Sequence, residues 1–364
     1  NIQVYNMNAP EYTVELWDIN GVYVADVSNI ISGDLKIQAK LNDAEDVEFS
    51  LDLVQFESLC ESINETPRNI LEPYRTDVRI RRNGQYLLGS QVVQVSVNFN
   101  NQSPNSLQVK CTGYLNYFKD RYVTKNYTSS KYALMAWDLI STTQTGTNRS
   151  FGVTLGGDTA STGQSSGRVR SYDLQEVKDG IINLTRLEND NFDFYFTADK
   201  KIYLTPRMGS NKPEVELAYP QNIASMSVTR DASTLANRII LLGSGIGDER
   251  LESIKDDSAS ALIYKVREMT TTNNDVIEPA TLDAKAAGMR DFYKNLYSRP
   301  SLDLEPNELD LNNIWLGDAI KVRVDGSTFI DDINGLYRIY EINIGYSQDG
   351  EESISLGVEA WYGA

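Results

Sequence analysis

The stretch Val92–Tyr114, VVQVSVNFNNQSPNSLQVKCTGY, decides the fold, because the chain writes its pattern twice. It aligns without a gap on Ile339–Trp361, IYEINIGYSQDGEESISLGVEAW, at a constant offset of 247 positions. Val93, Val95, Val97 and Phe99 fall on Tyr340, Ile342, Ile344 and Tyr346. Leu107, Val109 and Cys111 fall on Ile354, Leu356 and Val358, and Tyr114 falls on Trp361. Identities are few. What recurs is the alternation, its phase and the turn length, the pattern of paired strands with one buried face. Upstream, PYRTDVRIRRNG (Pro73–Gly84) matches NIWLGDAIKVRVDG (Asn313–Gly326) at an offset of 242: Val78, Ile80 and Gly84 fall on Ile320, Val322 and Gly326. The difference between the offsets lies in a hairpin connection, where insertions cost little. Residues 93–113 and 340–360 are therefore predicted to be equivalent strand pairs, with Val95 and Ile342 in equivalent places.

Outward from these repeats, YTVELWDINGVYVADV (Tyr12–Val27) is two alternating runs around Asn20-Gly21, a strong hairpin signal. Leu35–Leu53 alternates on both sides of a polar turn, and Phe56–Glu65 predicts a short helix. The texture then changes. Ser129–Thr142 and Ser171–Asn189 predict helices around a Gly/Ser/Thr-rich loop, Thr145–Gly167, and Asn191–Arg207 predicts two strands. From Ile223 strands return as SMSVTRD and ANRIILLG. A polar stretch (Ile246–Ser260), a strand (Ser260–Met269) and a helix (Thr281–Ser298), stopped by Pro300 and Pro306, follow. Each β unit then has a strand pair (Leu35–Leu53; Met226–Gly243), a helix and the three-strand repeat. The expected fold is mainly β with α+β insertions: two similar small β-barrel domains in one chain, separated by a helix/strand module. The expected divisions are 1–116, 117–220 and 221–364, with an inserted polar and helical segment at about 246–310.

Composition closes several function classes. None of the 364 residues is histidine, which removes His-based triads, His-ligated metals and the usual general base near neutral pH. Cys60 and Cys111 sit in apolar surroundings and read as buried free thiols, not a disulfide scaffold or a zinc site. The net charge of −17, from 51 acidic and 34 basic residues, repels nucleic acid. No apolar run reaches the length of a membrane span, and Asn1–Pro10 shows no signal peptide.

The individual motifs read as structural. GSGIGD (Gly243–Asp248) lacks the further glycine and following helix of a phosphate-cradling loop and reads as a turn. Asp43/Glu45/Asp46, Asp256/Asp257, Asp331/Asp332 and Glu351/Glu352 fall in hairpin loops and read as solvated turns, not as a glycosidase pair. Tyr114, Tyr117, Phe118 and Tyr122 have no basic neighbourhood and read as core or interface aromatics. Catalytic, cofactor-binding and metal-binding residues are expected to be none, and no interface residue is singled out.

The order of elements resembles that of bacteriophage tail-hub proteins, the baseplate and tail-tip hubs. YTVELWDINGVYVADV, LKIQAKLNDAEDVEFSL and PYRTDVRIRRNG carry the likeness in the first half; LANRIILLG and LNNIWLGDAIKVRV with GLYRIYEINI carry it in the second. The resemblance covers nearly the whole chain, with Thr145–Gly167 and Ile246–Ser260 as departures. It implies a non-enzymatic virion protein of the phage tail tip. Three chains would form a ring whose six barrels meet a sixfold tail tube or distal tail ring. The threefold face would carry tip, spike or fibre proteins, around the passage for DNA. It implies no cofactor, no specific nucleic-acid binding and no stable membrane insertion. A host-carbohydrate-binding tail protein, favoured by the many Tyr and Trp, and a cell-wall glycosidase remain the alternative readings.

Overall fold

A computed structural model describes residues 10–99, 105–157, 168–185, 192–274, 276–326, 330 and 332–360. Its first β unit holds β1 (Tyr12–Asp18), β2 (Tyr23–Asp26), β3 (Leu35–Lys40) and β4 (Asp46–Asp52). Helices α1 (Leu53–Ser62) and α2 (Pro67–Ile70) come next, then β5 (Thr76–Arg82), β6 (Gln85–Asn98) and β7 (Ser106–Gly113). Asp52 ends β4 and starts α1, because its carboxylate accepts the orphan N–H of Gln55. The middle module holds β8 (Tyr122–Ser130), α3 (Tyr132–Thr143), β9 (Thr154–Leu155), β10 (Arg168–Glu176), α4 (Val177–Thr185), β11 (Asp193–Phe196) and β12 (Lys201–Thr205). The last part holds β13 (Asn211–Ala218), β14 (Ile223–Asp231), β15 (Arg238–Leu242), β16 (Glu252–Asp256), α5 (Ser258–Tyr264), β17 (Glu268–Thr272) and α6 (Pro279–Tyr293). It ends with β18 (Tyr297–Leu304), β19 (Ala319–Val324), β20 (Ile333–Tyr346) and β21 (Glu352–Ala360).

The repeated stretches are hairpins in the same register. Val92, Val95 and Val97 on β6 stand opposite Cys111, Val109 and Leu107 on β7. Ile339, Ile342 and Ile344 on β20 stand opposite Val358, Leu356 and Ile354 on β21. Each pairing shifts by one residue at the same place, at Val93 in the first hairpin and at Tyr340 in the second. These are β-bulges, which insert one unpaired residue and sharpen the strand twist. The preceding strands agree too: Val78 meets Ser90 and Ile80 meets Leu88, as Ile320 meets Tyr337 and Val322 meets Gly335. The outermost strands differ, since β1 runs antiparallel to β5 but β13 runs parallel to β19. The Tyr114–Trp361 match lies outside the described residues at Trp361.

Thirteen strands form one sheet, in the order β14-β18-β21-β20-β3-β4-β7-β6-β5-β1-β2, with β19 beside β20 and β13 beside β19. The expectation of two barrels is corrected here: among the described residues no barrel closes. The reason is the seam between β3 and β20, which joins the two units edge to edge. Their inner faces share one core, including Phe49, Val109, Ile342 and Leu356. A second core gathers α3, α4 and Tyr114, Tyr117 and Phe118; a third lies between β15 and α6.

Four local expectations also change. The strand partner of β14 is β18, not the ANRIILLG strand, which belongs to a separate three-stranded sheet with β16 and β17. Residues between Asp231 and Tyr297 are thus inserted between two paired strands. Pro300 lies within β18 opposite Val228 of β14, one residue before the pairing with β21 begins at Ser301. Ser171–Glu176 is strand, not helix, and the Ser260–Met269 stretch starts in a helix. Finally, α6 ends at Tyr293, before the prolines.

Candidate assembly surface

Alternation gives the large sheet two unlike faces. Leu35, Ile37, Val47, Phe49, Val109 and Ile342 point into the core. The residues between them, among them Gln38, Lys40, Glu48, Gln108, Lys110 and Glu341, form a broad polar outer face. Two of its cations have carboxylates beside them: Lys110 lies 3.5 Å from Glu48, and Lys40 lies 3.9 Å from Glu341, which also accepts from Gln38 at 2.6 Å. Exposed pairs of this kind add little stability.

Two of the sheet's open edges border this face. Among the described residues, no strand pairs with the outer side of β14 or with the side of Gln94–Asn98 turned away from β7. Val97 is 47% exposed and Phe99 is 77% exposed. Nothing in the sequence marked these residues except their alternation.

Buried polar ties hold the modules behind the face. Arg82 on β5 grips Glu352 with two bonds of 2.8 Å, and the Tyr12 hydroxyl donates to the same carboxylate at 2.5 Å. Glu352 is therefore a buried tie between the two β units, not the solvated turn residue its position suggested. Lys200 reaches Asp77 and the Ile19 carbonyl, each at 2.6 Å, while the Tyr117 hydroxyl donates to Asp77 at 2.6 Å. Asp193 accepts from Asn42 at 2.7 Å, the Met208 N–H at 2.7 Å and Arg338 at 2.5 Å.

The other sequence-marked acids separate. Asp257 caps α5 by accepting from Ser260 N–H, Asp256 pairs with Arg238, and Asp332 accepts from Gly326 N–H. Asp331 lies outside the described residues. Cys60 and Cys111 are buried free thiols, and burial pushes the Cys60 thiol up to about 11. Gly243–Asp248 is a turn in which Gly245 and Gly247 adopt positive φ. Tyr122 is exposed. Among the described residues, no group of three or more Cys, Asp or Glu side chains is placed to hold a metal ion, and no helix is long and apolar enough to cross a membrane.

A cleft of about 550 Å³ opens where the first β unit, the middle module and the second β unit meet, lined by Asn42, Asp43, Glu45, Tyr195 and Trp315 among others. Glu45 lies against Gly113, where a Cβ would stand 1.9 Å from its Oε2. Burial, reinforced by Asp43 and Asp46, pushes the Glu45 carboxyl up to about 7. Its folded form thus holds a proton that the unfolded chain releases near pH 4.5. Stability contributed by this group is present below pH 4.5 and falls as pH rises to about 7. The expected result is that Glu45→Gln is neutral at pH 4.5 and gains about 2 kcal/mol over the parent by pH 7.5. Urea midpoints at both pH values check this; an equal difference at both would exclude it.

No protein-family model and no curated protein matches the chain. Solved structures do. A tail protein from Neisseria meningitidis, 12% identical, superposes with a TM-score of 0.65 and covers 96% of each chain. The 43 kDa tail protein of prophage MuSo2 from Shewanella oneidensis is 10% identical, with a TM-score of 0.62 over 95% of this chain and 98% of that one. A prophage tail protein from Listeria monocytogenes is 12% identical, with a TM-score of 0.54 over 95% and 94%. The chain has the phage tail-protein fold.

Proposed function

We propose that this tail-protein fold serves as a structural component of the virion at the phage tail tip. Three copies form a hub ring that adapts a sixfold tail tube or distal tail ring to threefold tip, spike or fibre proteins. The observation that carries this reading is the β3–β20 seam, which sets two register-matched units side by side. Three such chains supply six units, and repeated head-to-tail contacts close into rings when the rotation allows. In this reading 1–116 and 221–364 are the hub units, 117–220 is the module between them, and the stretch between Asp231 and Tyr297 is the segment inserted in the second. The polar face, where Lys40 and Lys110 stand beside Glu341 and Glu48, suits the wall of a DNA passage, because the carboxylates weaken its hold on phosphates. The chain acts without catalysis, cofactor, specific nucleic-acid binding or membrane insertion.

The charge of −17 per copy opposes assembly at low ionic strength. Native mass spectrometry across salt is expected to show monomer in dilute buffer and trimer at higher salt or with a tail partner. Imaging of intact tails is expected to show three copies. A stable dimer, or one copy per tail tip, would overturn the ring. The cleft with Tyr195, Trp315 and Glu45 supports a second reading, carbohydrate binding, which a glycan array tests directly.

A further inference from the structure

Inside the chain, β3 seals the upper half of β20. Ala39, Ile37 and Leu35 stand opposite Ile342, Ile344 and Tyr346, and Lys40, Gln38 and Lys36 stand opposite Glu341, Asn343 and Gly345. The sealed apolar residues are buried, with Ile37 2% and Ile344 3% exposed.

Both strands of this seam have counterparts in the other unit. β20 corresponds to β6 through the shared hairpin register. β3 corresponds to β14 by a second comparison. Phe49 on β4 stands opposite Val109, and Leu302 on β18 stands opposite Leu356, which are equivalent positions. On their other sides, β4 pairs antiparallel with β3 and β18 with β14, so Leu35 corresponds to Met226 and Ile37 to Val228. Yet both counterparts are open edges. They lie at opposite ends of the path from β14 to β6, with six strands between them, and within the chain they are not paired with each other.

We infer that β14 of one copy pairs antiparallel with Gln94–Phe99 of a second copy, reproducing the β3–β20 seam between chains. The register follows by transfer. Val97 stands opposite Val228 and Phe99 opposite Met226 on the core side; Gln94 opposite Asp231, Ser96 opposite Thr229 and Asn98 opposite Ser227 on the polar side. The apolar residues are already in place: Val97 and Phe99 are exposed, whereas their sealed equivalents Ile344 and Tyr346 are buried or half-buried. Pairing would satisfy two rows of backbone N–H and C=O groups that are otherwise left to solvent or to aggregation. The inference rests on the ring reading and names its seam.

Cysteine pairs test the register. Neighbouring antiparallel pairs alternate between wide and narrow spacing, so Ser96→Cys/Thr229→Cys and Val97→Cys/Val228→Cys sample both kinds. The native thiols are buried and do not compete. Oxidation of the assembled protein is expected to give a covalent ladder ending at trimer for at least one pair. The slipped pair Ser96→Cys/Val228→Cys should give roughly tenfold less, because a one-residue slip turns the side chains to opposite faces. A ring that forms but links in neither matched pair refutes the seam alone. No ring at any salt or in tails refutes the ring reading and the seam together. A second comparison needs no disulfide. Ser96→Lys/Thr229→Lys should weaken assembly roughly fivefold, and Ser96→Lys/Thr229→Glu should restore it, since like charges directly opposite repel. Equal assembly by both variants would overturn the pairing.

Discussion

Replacing Arg82 with Met is expected to destabilise the protein by about 3–5 kcal/mol, because it strands a buried charge. Arg82 and Tyr12 are cross-strand neighbours on β5 and β1, and both end on Glu352 at the start of β21. The Arg82 and Glu352 side chains are only 4% and 2% exposed, so water cannot replace the guanidinium. Arg82 also lies 3.8 Å from Asp310, so its removal takes the cation from two carboxylates at once. The double variant Arg82→Met/Glu352→Leu is expected to regain most of the loss, since removing both charges removes the unpaired one. Urea denaturation followed by tyrosine and tryptophan fluorescence measures both. A single variant within about 1 kcal/mol of the parent would mean that the tie is solvated in solution.

Gly317→Ala is expected to cost at least about 3 kcal/mol, or to prevent folding, through strain and collision together. Gly317 sits in the NIWLGDAIKVRVDG stretch with φ at 87°. A Cβ there would stand 2.4 Å from the Met208 carbonyl oxygen, a backbone atom that cannot swing away. Gly209 faces it from the other side: its own Cβ would stand 2.1 Å from the Gly317 carbonyl carbon. Two glycines thus let the chain leaving the middle module cross the entry to β19. Two controls separate the causes. Gly84 has φ at 77° but open space, so Gly84→Ala should show backbone strain alone, about 1 kcal/mol. Gly335 has open space and no positive φ, and its replacement should be near neutral. Thermal melts of the three variants rank them; a Gly317 variant no worse than the Gly84 variant would contradict the crossing.

Much of the sheet was legible because its signal is local. Strict alternation in Val92–Phe99 and Ile339–Tyr346 states which face is buried, and the constant offset states the register. Where apolar pattern and burial part company, the reading failed. Leu262 and Ile263 suggested a strand, yet they lie on α5 at 82% and 71% exposed. YSRPSLDL was hidden as β18 by a proline and by the inserted segment that separates it from β14. Glu352 looked like a turn acid because its partner Arg82 lies 270 residues away. The open edges were illegible for a deeper reason: an unpaired edge is a property of the finished sheet, and no single segment encodes it.

The bulge at Val93 and Tyr340 carries a genealogical message. Side chains on the two hairpins have drifted until few are identical, but one extra residue persists at the same rung of both ladders. Such insertions are retained within families because losing one turns the rest of a strand inside out. The two hairpins thus keep the same departure from regular pairing although few of their side chains agree, which is the mark that duplication of one segment would leave.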